Sequence, residues 1–360
     1  MIRNFFEGLK VLDLSSVLAG PLTASFFAET GAEVTKIENK LTGGDVTRQW
    51  KLRSEDPDNP YSAYYCAANF GKKVLLLDLS NAEDRTMAEQ LVSESDIIIS
   101  NFQKKTAEKL GLTPDQISTR YPKAIFAQLS AYDYDDPRPG YDLVMQAETG
   151  YISMNGTTDG KLCKMPVAMI DILAAHQMKE AILMALLNKM KTGLGSTLHV
   201  SLYKSALSGL ANQASNYLMC GHIPEPMGTL HPNIAPYGDM FYSSDCIPFI
   251  LAVGSDAQFK KLWKTLIKAD ENYYTFDTNI KRLEKRFRLQ ELLQSHFSHF
   301  PFTVLEFLLK ENNIPYCRIS DLSEVFSRSE SNCMINVELK DQNIRLKSVS
   351  AIAFDIKRNS

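Results

Sequence analysis

The sequence contains no CxxC pair. Its six cysteines (Cys66, Cys163, Cys220, Cys246, Cys317 and Cys333) are scattered, with no histidines at metal-ligand spacing. No metal site or disulfide framework is expected, and the thiols read as reduced, mostly packing residues of a cytoplasmic protein. No lysine- or arginine-rich run occurs and the net charge is only −3, so nothing points to a nucleic-acid partner. No apolar run approaches the ~20 residues needed to cross a bilayer, and the opening MIRNFFEGLKVLDLS has no long apolar stretch followed by a cleavage site, so no membrane partner is expected. The turn after the first strand-like run, SSVLAGP, lacks GxGxxG, which weakens an NAD(P) reading. GxSxG is also missing, and with it the elbow of a serine hydrolase.

What is there reads as an ordinary soluble α/β chain. Hydrophobic residues make up 44% and charged residues 22% of 360 residues, enough for two domains. KVLDLS, AEVTKIE, KKVLLLDLS, DIIISNF and KAIFAQLSA are strand-like. They alternate with helical patterns: LTASFFAET, with Pro21 at its first position and Gly31 at its stop; NAEDRTMAEQLVSES, starting at Asn81; and KKTAEKLG. This alternation predicts a doubly wound parallel sheet. A long helix follows from Asp171, with Ile172, Ala175, Met178, Ile182 and Ala185 at helical spacing and Gly193 as its stop. TLHVSLYKSALSGLANQASNYL reads as a strand or a second helix. The loop-like stretch rich in proline and glycine divides the chain: residues 1–220 as the large domain, 221–238 as a linker, 239–330 as a small α+β domain, and 331–360 as a segment returning toward the large domain.

Basic residues gather at strand ends: Lys40, Lys72, Lys73, Lys104, Lys105 and Lys109. Each alone reads as solvated surface; as a set they could serve the phosphates of a nucleotide-bearing ligand. Two readings of Asp171, in MPVAMIDILAAHQ, stand side by side. It could be the helix N-cap, worth ~1 kcal/mol. It could also be a partly desolvated carboxylate nucleophile held ionised by the positive end of that helix, though caps are far commoner than nucleophiles. Asp142, in RPGYDLVMQ, could hydrogen-bond near it or serve as a loop or cap residue.

GLKVLDLSSVLAGPLTASFFAETGAEVTKIEN followed by GGDVTRQW resembles the opening signature of the family III CoA-transferases. NFGKKVLLLDL, SNFQKKTAEKLGL, RPGYDLVMQAETGYISMNG, TGLGSTLHVSLYKSAL and HPNIAPYGDMFYSSDCIPFILAVGSDAQF resemble later blocks in the same order, from residue 7 to about 330. The resemblance implies a Rossmann-like large domain with a smaller α+β domain, and an interlocked homodimer. It implies transfer of CoA from an acyl-CoA to a small carboxylic acid, with CoA as substrate and no permanently bound cofactor. Asp171 falls at the family's catalytic aspartate, which would form an aspartyl anhydride and then an aspartyl-CoA thioester, with Asp142 as a supporting group. By the same match Val17, Leu18 and Ala19 line the pantetheine and thioester end. Asn39, Leu77, Asn101, Phe102, Thr106, Lys109 and Leu110 surround the nucleotide, and Arg138 reaches a phosphate.

Some positions depart from the family pattern. Leu18 replaces a glutamine of the formyl-CoA transferases, and Asn39 an arginine near the adenine. No glycine-run lid stands near Met227-Gly228-Thr229, and the final block is short. The related 2-methylacyl-CoA racemases carry a histidine where this chain has Tyr141. Their second acid falls near Asp256, which as a lone acid at a helix start also reads as a cap. A racemase, or a CoA-binding protein without turnover, are the alternatives.

Overall fold

The computed structural model describes residues 4–267, 273–340 and 344–357. The chain divides into two compact units. The first comprises residues 1–151, 164–220 and 330–360; the second comprises 152–163 and 221–329. Residues 152–163 therefore belong with the second unit although the sequence places them inside the first. Residues 221–238 also group with the second unit rather than standing between the two.

Six strands build the sheet of the first unit: β1 (Lys10–Asp13), β2 (Glu33–Asn39), β3 (Lys73–Leu77), β4 (Ile97–Ser100), β5 (Ile125–Ser130) and β6 (Thr197–Ser201). All pair in parallel, in the order β3-β2-β1-β4-β5-β6. The stretch read as strand or helix is both in turn, β6 and then the helices Leu202–Gly209 and Ala211–Cys220. Central strands are apolar along their length because both faces are covered. Val11, Ile97, Ile99 and Ile125 pack beneath the helices Ala19–Glu29 and Met169–Thr192. Their neighbours Leu12, Ile98 and Phe126 turn to the other face with Ala88, Val92 and Ile117.

Pro21 stands third, not first, in the helix Ala19–Glu29. Any first-turn position suits a residue without an N–H, because those donors have no partner inside the helix. The long helix runs from Met169 to Thr192, with Ile170, Ala174, Met178 and Ile182 fully buried and Gly193 as its left-handed C-cap.

In the second unit β7 (Tyr237–Tyr242), β8 (Pro248–Ala252) and β9 (Tyr316–Arg318) form an antiparallel sheet. Phe241, Phe249, Trp263 and Phe297 lie in its core. Two helices, Asn279–Glu284 and Arg286–Phe297, follow in this unit. Asp256 is not the cap of its helix; Ser255 is, and Asp256 pairs with buried Arg282 at 2.6 Å.

In the first unit β10 (Ile335–Lys340) and β11 (Ile344–Val349) form an antiparallel pair. Gly71 N–H donates to Glu338 and Lys340 Nζ to the Lys72 carbonyl, each at 3.2 Å. Of the six free cysteines only Cys66 is buried; the other five are exposed rather than packing residues. Among the described residues no helix is long and apolar enough to cross a membrane.

Candidate active site

Strand order turns about β1 and β4, so the loops leaving their carboxyl ends diverge and open a crevice suited to a ligand. Ser15, Ser16 and Val17 follow β1; Asn101 and Phe102 follow β4. Asn101 holds the two loops together, its Oδ1 accepting Ser16 N–H at 3.1 Å and its Nδ2 donating to the Ser16 carbonyl at 3.0 Å. Val17 has φ +73°, rare for a β-branched residue. Its N–H donates to the Asp45 carboxylate at 3.2 Å.

A buried ion network supports this loop from below. Lys36 Nζ donates to the Ser15 carbonyl at 2.6 Å and pairs with Asp45 at 3.2 Å. Lys72 Nζ lies 2.8 Å from Asp13 and donates to the Pro21 carbonyl at 2.7 Å. Burial opposes the charge on Asp13, but the Lys36 and Lys72 ammonium groups with hydrogen bonds from Lys72 and Ser15 outweigh it and hold its carboxyl at about 2. Burial draws Lys72 down to about 8 despite the attraction of Asp13. Lys72 is thus an internal structural cation and not part of a phosphate-binding set. Lys73, at the start of β3, lies at the strand end opposite the crevice.

Two cavities lie along the carboxyl edge of the sheet and share Ser16 and Phe102. One, of about 620 Å³, is lined by Asn39, Leu77, Phe102, Thr106, Lys109 and Leu110, with Leu14, Ile37, Leu79 and Arg85. The other, of about 450 Å³, is lined by Val17, Asn101, Phe102 and Arg138 and by Lys104, Lys105, Gly140 and Tyr141. Leu18 and Ala19 line neither cavity. Both are buried, and Ala19 belongs to the core at the head of its helix. Arg138 is engaged: its guanidinium meets Asp136 at 2.7 Å and Glu148 at 3.6 Å, and lies 3.7 Å over the Tyr132 ring.

Asp171 is the third residue of its helix, not its cap; Ala168 holds the cap position without a side-chain bond. The missing cap comes from Asp142, first residue of the helix Asp142–Glu148, whose Oδ2 accepts Ile170 N–H at 2.7 Å and Asp171 N–H at 3.4 Å. Gln146 fixes that carboxylate through Nε2 at 2.5 Å and accepts Met165 N–H at 2.8 Å. Asp171 itself is 8% exposed. Among the described residues its carboxyl has no hydrogen-bond or ion-pair partner. Burial first, and then the charge of Asp142, push it up to about 7. A carboxylate so desolvated and unpaired is a far better nucleophile than one in water.

Tyr64 also senses this centre. Burial and then the charges of Asp171, Asp142 and Asp45 raise its phenol, and its ring meets Trp50 edge-on at 5.0 Å. Sequence reasoning missed Tyr64, Trp50 and Arg85. YSAYYC, TRQW and NAEDRTMAEQ carry ordinary aromatics and cations, and only the fold brings Tyr64 near Asp171, Trp50 against Tyr64 and Arg85 to the larger cavity.

The CoA-transferase family III model matches residues 6–354. A succinate–glutarate CoA-transferase of Agrobacterium fabrum is 33% identical over 89% of this chain and 81% of its own length. A succinyl-CoA:glutarate CoA-transferase of Mus musculus is 28% identical over 90% of this chain and 74% of its own. The crystal structure of a CaiB/BaiF family protein from Brucella suis superposes with a TM-score of 0.80 at 31% identity, covering 97% of this chain and 92% of that one. With a parallel sheet of order 3-2-1-4-5-6 and a match over nearly its whole length, the chain belongs to CoA-transferase family III.

Proposed function

We propose that this protein transfers CoA from an acyl-CoA thioester to a carboxylic acid, with Asp171 as the nucleophile. The observation that carries the reading is the unpaired, nearly buried Asp171 carboxyl in the first turn of its helix, beside Asp142. Asp142 follows directly on Gly140 and Tyr141 of the smaller cavity, so the thioester end of CoA would lie there and its nucleotide in the larger one.

The ionised Asp171 carboxylate attacks the thioester carbonyl, the C–S bond breaks, and a mixed anhydride forms as CoA thiolate leaves. The thiolate then attacks the aspartyl carbonyl of the anhydride, releasing the donor acid and leaving an aspartyl-CoA thioester. The acceptor carboxylate attacks that thioester, giving a second anhydride and free thiolate. Attack of the thiolate on the acceptor's carbonyl releases the new acyl-CoA and restores Asp171. Each tetrahedral intermediate needs N–H donors aimed at its oxyanion.

The relatives' names favour succinyl-CoA as donor and a five-carbon dicarboxylic acid as acceptor. A homodimer is part of the proposal. Met184, Leu187 and Met190 on the long helix and Leu218 and Met219 on the helix Ala211–Cys220 are 60–83% exposed, an apolar surface that a second copy would cover. Tyr141, in place of a histidine, leaves two-base α-proton transfer without the second partner suited to neutral pH.

Intact-mass measurement after incubation with succinyl-CoA and other short acyl-CoA thioesters tests the reading. A CoA-sized, hydroxylamine-labile addition that Asp171→Asn never shows is expected. Binding of CoA with no adduct from any donor would sink the nucleophile. Deuterium exchange at the α-carbon of a 2-methylacyl-CoA would then identify a racemase.

A further inference from the structure

The larger cavity carries two cations, Arg85 and Lys109, beside the carboxylates of Glu38, Asp45 and Asp78, of which Glu38 pairs with Arg48 and Asp45 with Lys36. It is an apolar slot with Arg85 and Lys109 on its lining. Lys109 lies in the last turn of the helix Lys104–Leu110, which follows β4 on the side of the smaller cavity. Arg85 comes from the helix Ala82–Glu94, which follows β3 at the outer edge of the sheet. The Arg85 guanidinium reaches toward the Lys109 helix, its Nη2 standing 3.8 Å from where a Cβ on Gly111 would lie. Among the described residues only a loose contact restrains it, to Glu89 at 3.7 Å, with both side chains about half exposed. Arg120 approaches the same spot, but it already donates to the Gly111 carbonyl.

CoA carries charge at two places on one ribose, a pyrophosphate at the 5′ oxygen and a single phosphate at the 3′ oxygen. If the pantetheine runs through the smaller cavity toward Asp142 and Asp171, the pyrophosphate leaves the slot on the β4 side, where Lys109 stands. The 3′ oxygen then faces the β3 side. Asp78, also on that rim with its Oδ1 engaged by Ser80 at 2.9 and 2.6 Å, would repel a phosphate there unless a cation offset it.

We propose that Arg85 is a specificity-determining residue that recognises the 3′-phosphate of CoA. A guanidinium matches a phosphate through two parallel N–H donors, a geometry that a lysine lacks. This inference rests on the reading of the cavity as the CoA nucleotide site.

Isothermal titration of the full chain with CoA and with 3′-dephospho-CoA tests it. Wild type should bind CoA about tenfold or more tightly over 3′-dephospho-CoA, the size of one charge-assisted hydrogen-bonded pair. Arg85→Ala should lose that preference while binding 3′-dephospho-CoA as wild type does, and Arg85→Lys should recover part of it. Lys109→Ala should weaken both ligands alike. Equal binding of the two ligands by wild type, or an equal loss of both in Arg85→Ala, overturns the role of Arg85 and leaves the CoA site standing. No binding of either ligand by wild type overturns both.

Discussion

The carboxylate of Asp142 accepts the backbone N–H of Asp171 at 3.4 Å, while its charge helps to push the Asp171 carboxyl up to about 7. One residue thus caps the helix and tunes the acid it carries. Since only ionised Asp171 can attack a thioester, kcat/KM for CoA transfer should rise with pH through about 7. Asp142→Asn keeps an oxygen that can cap Ile170 N–H but removes the repelling charge, so it should move the rise to lower pH. A pH–rate profile of the two proteins checks this; an unmoved profile would mean that burial alone sets the pKa.

The same shift bears on stability. Folded Asp171 holds its proton up to about 7, against about 4 for an unfolded aspartate, so stability present at low pH is lost as pH rises from about 4 through about 7. Asp171→Asn has no such loss. The shift corresponds to as much as about 4 kcal/mol above pH 7. Thermal unfolding should show the variant gaining Tm at pH 8 and gaining much less at pH 4. A gain that does not depend on pH would mean that ionisation is not its source.

Much of the sheet was legible in the sequence because KVLD, IIIS and IFAQLS carry continuous apolar runs that only a doubly covered strand can bury. The candidate nucleophile was legible through its sequence block, whereas its local role was misplaced. A residue-by-residue reading looks for the cap next to the helix, and here Asp142 supplies it from 28 positions before Ile170. Lys36 and Lys72 look like surface lysines in any linear reading. Their burial depends on Asp13 and Asp45, and pairing across strands is not written in local spacing.

Arg138 is occupied by Asp136 and Glu148, which a phosphate would have to displace. Asp136→Asn keeps an acceptor for the Arg138 backbone N–H, now 3.0 Å from Asp136 Oδ1, and removes a competing charge. CoA should bind about two- to fivefold more tightly, in keeping with the modest strength of exposed ion pairs. Calorimetry decides. Weaker binding in the variant would assign Asp136 to holding the loop rather than to competing for Arg138.

Lys36 is fully buried, with its ammonium between the Ser15 carbonyl at 2.6 Å and Asp45 at 3.2 Å. Lys36→Met fills much of the same volume but leaves Asp45 facing no cation at that point and the Ser15 carbonyl without its donor. Removing one partner of a buried pair typically costs about 3–5 kcal/mol. Urea unfolding should show a loss of that order, with CoA affinity falling because the Ser15–Val17 turn loses its support. Adding Asp45→Asn should restore part of the stability, since the orphaned charge goes with it. It should not restore CoA affinity, because Val17 N–H then loses its charged acceptor. A loss below about 1 kcal/mol in Lys36→Met would mean that the Lys36 pair contributes little to stability.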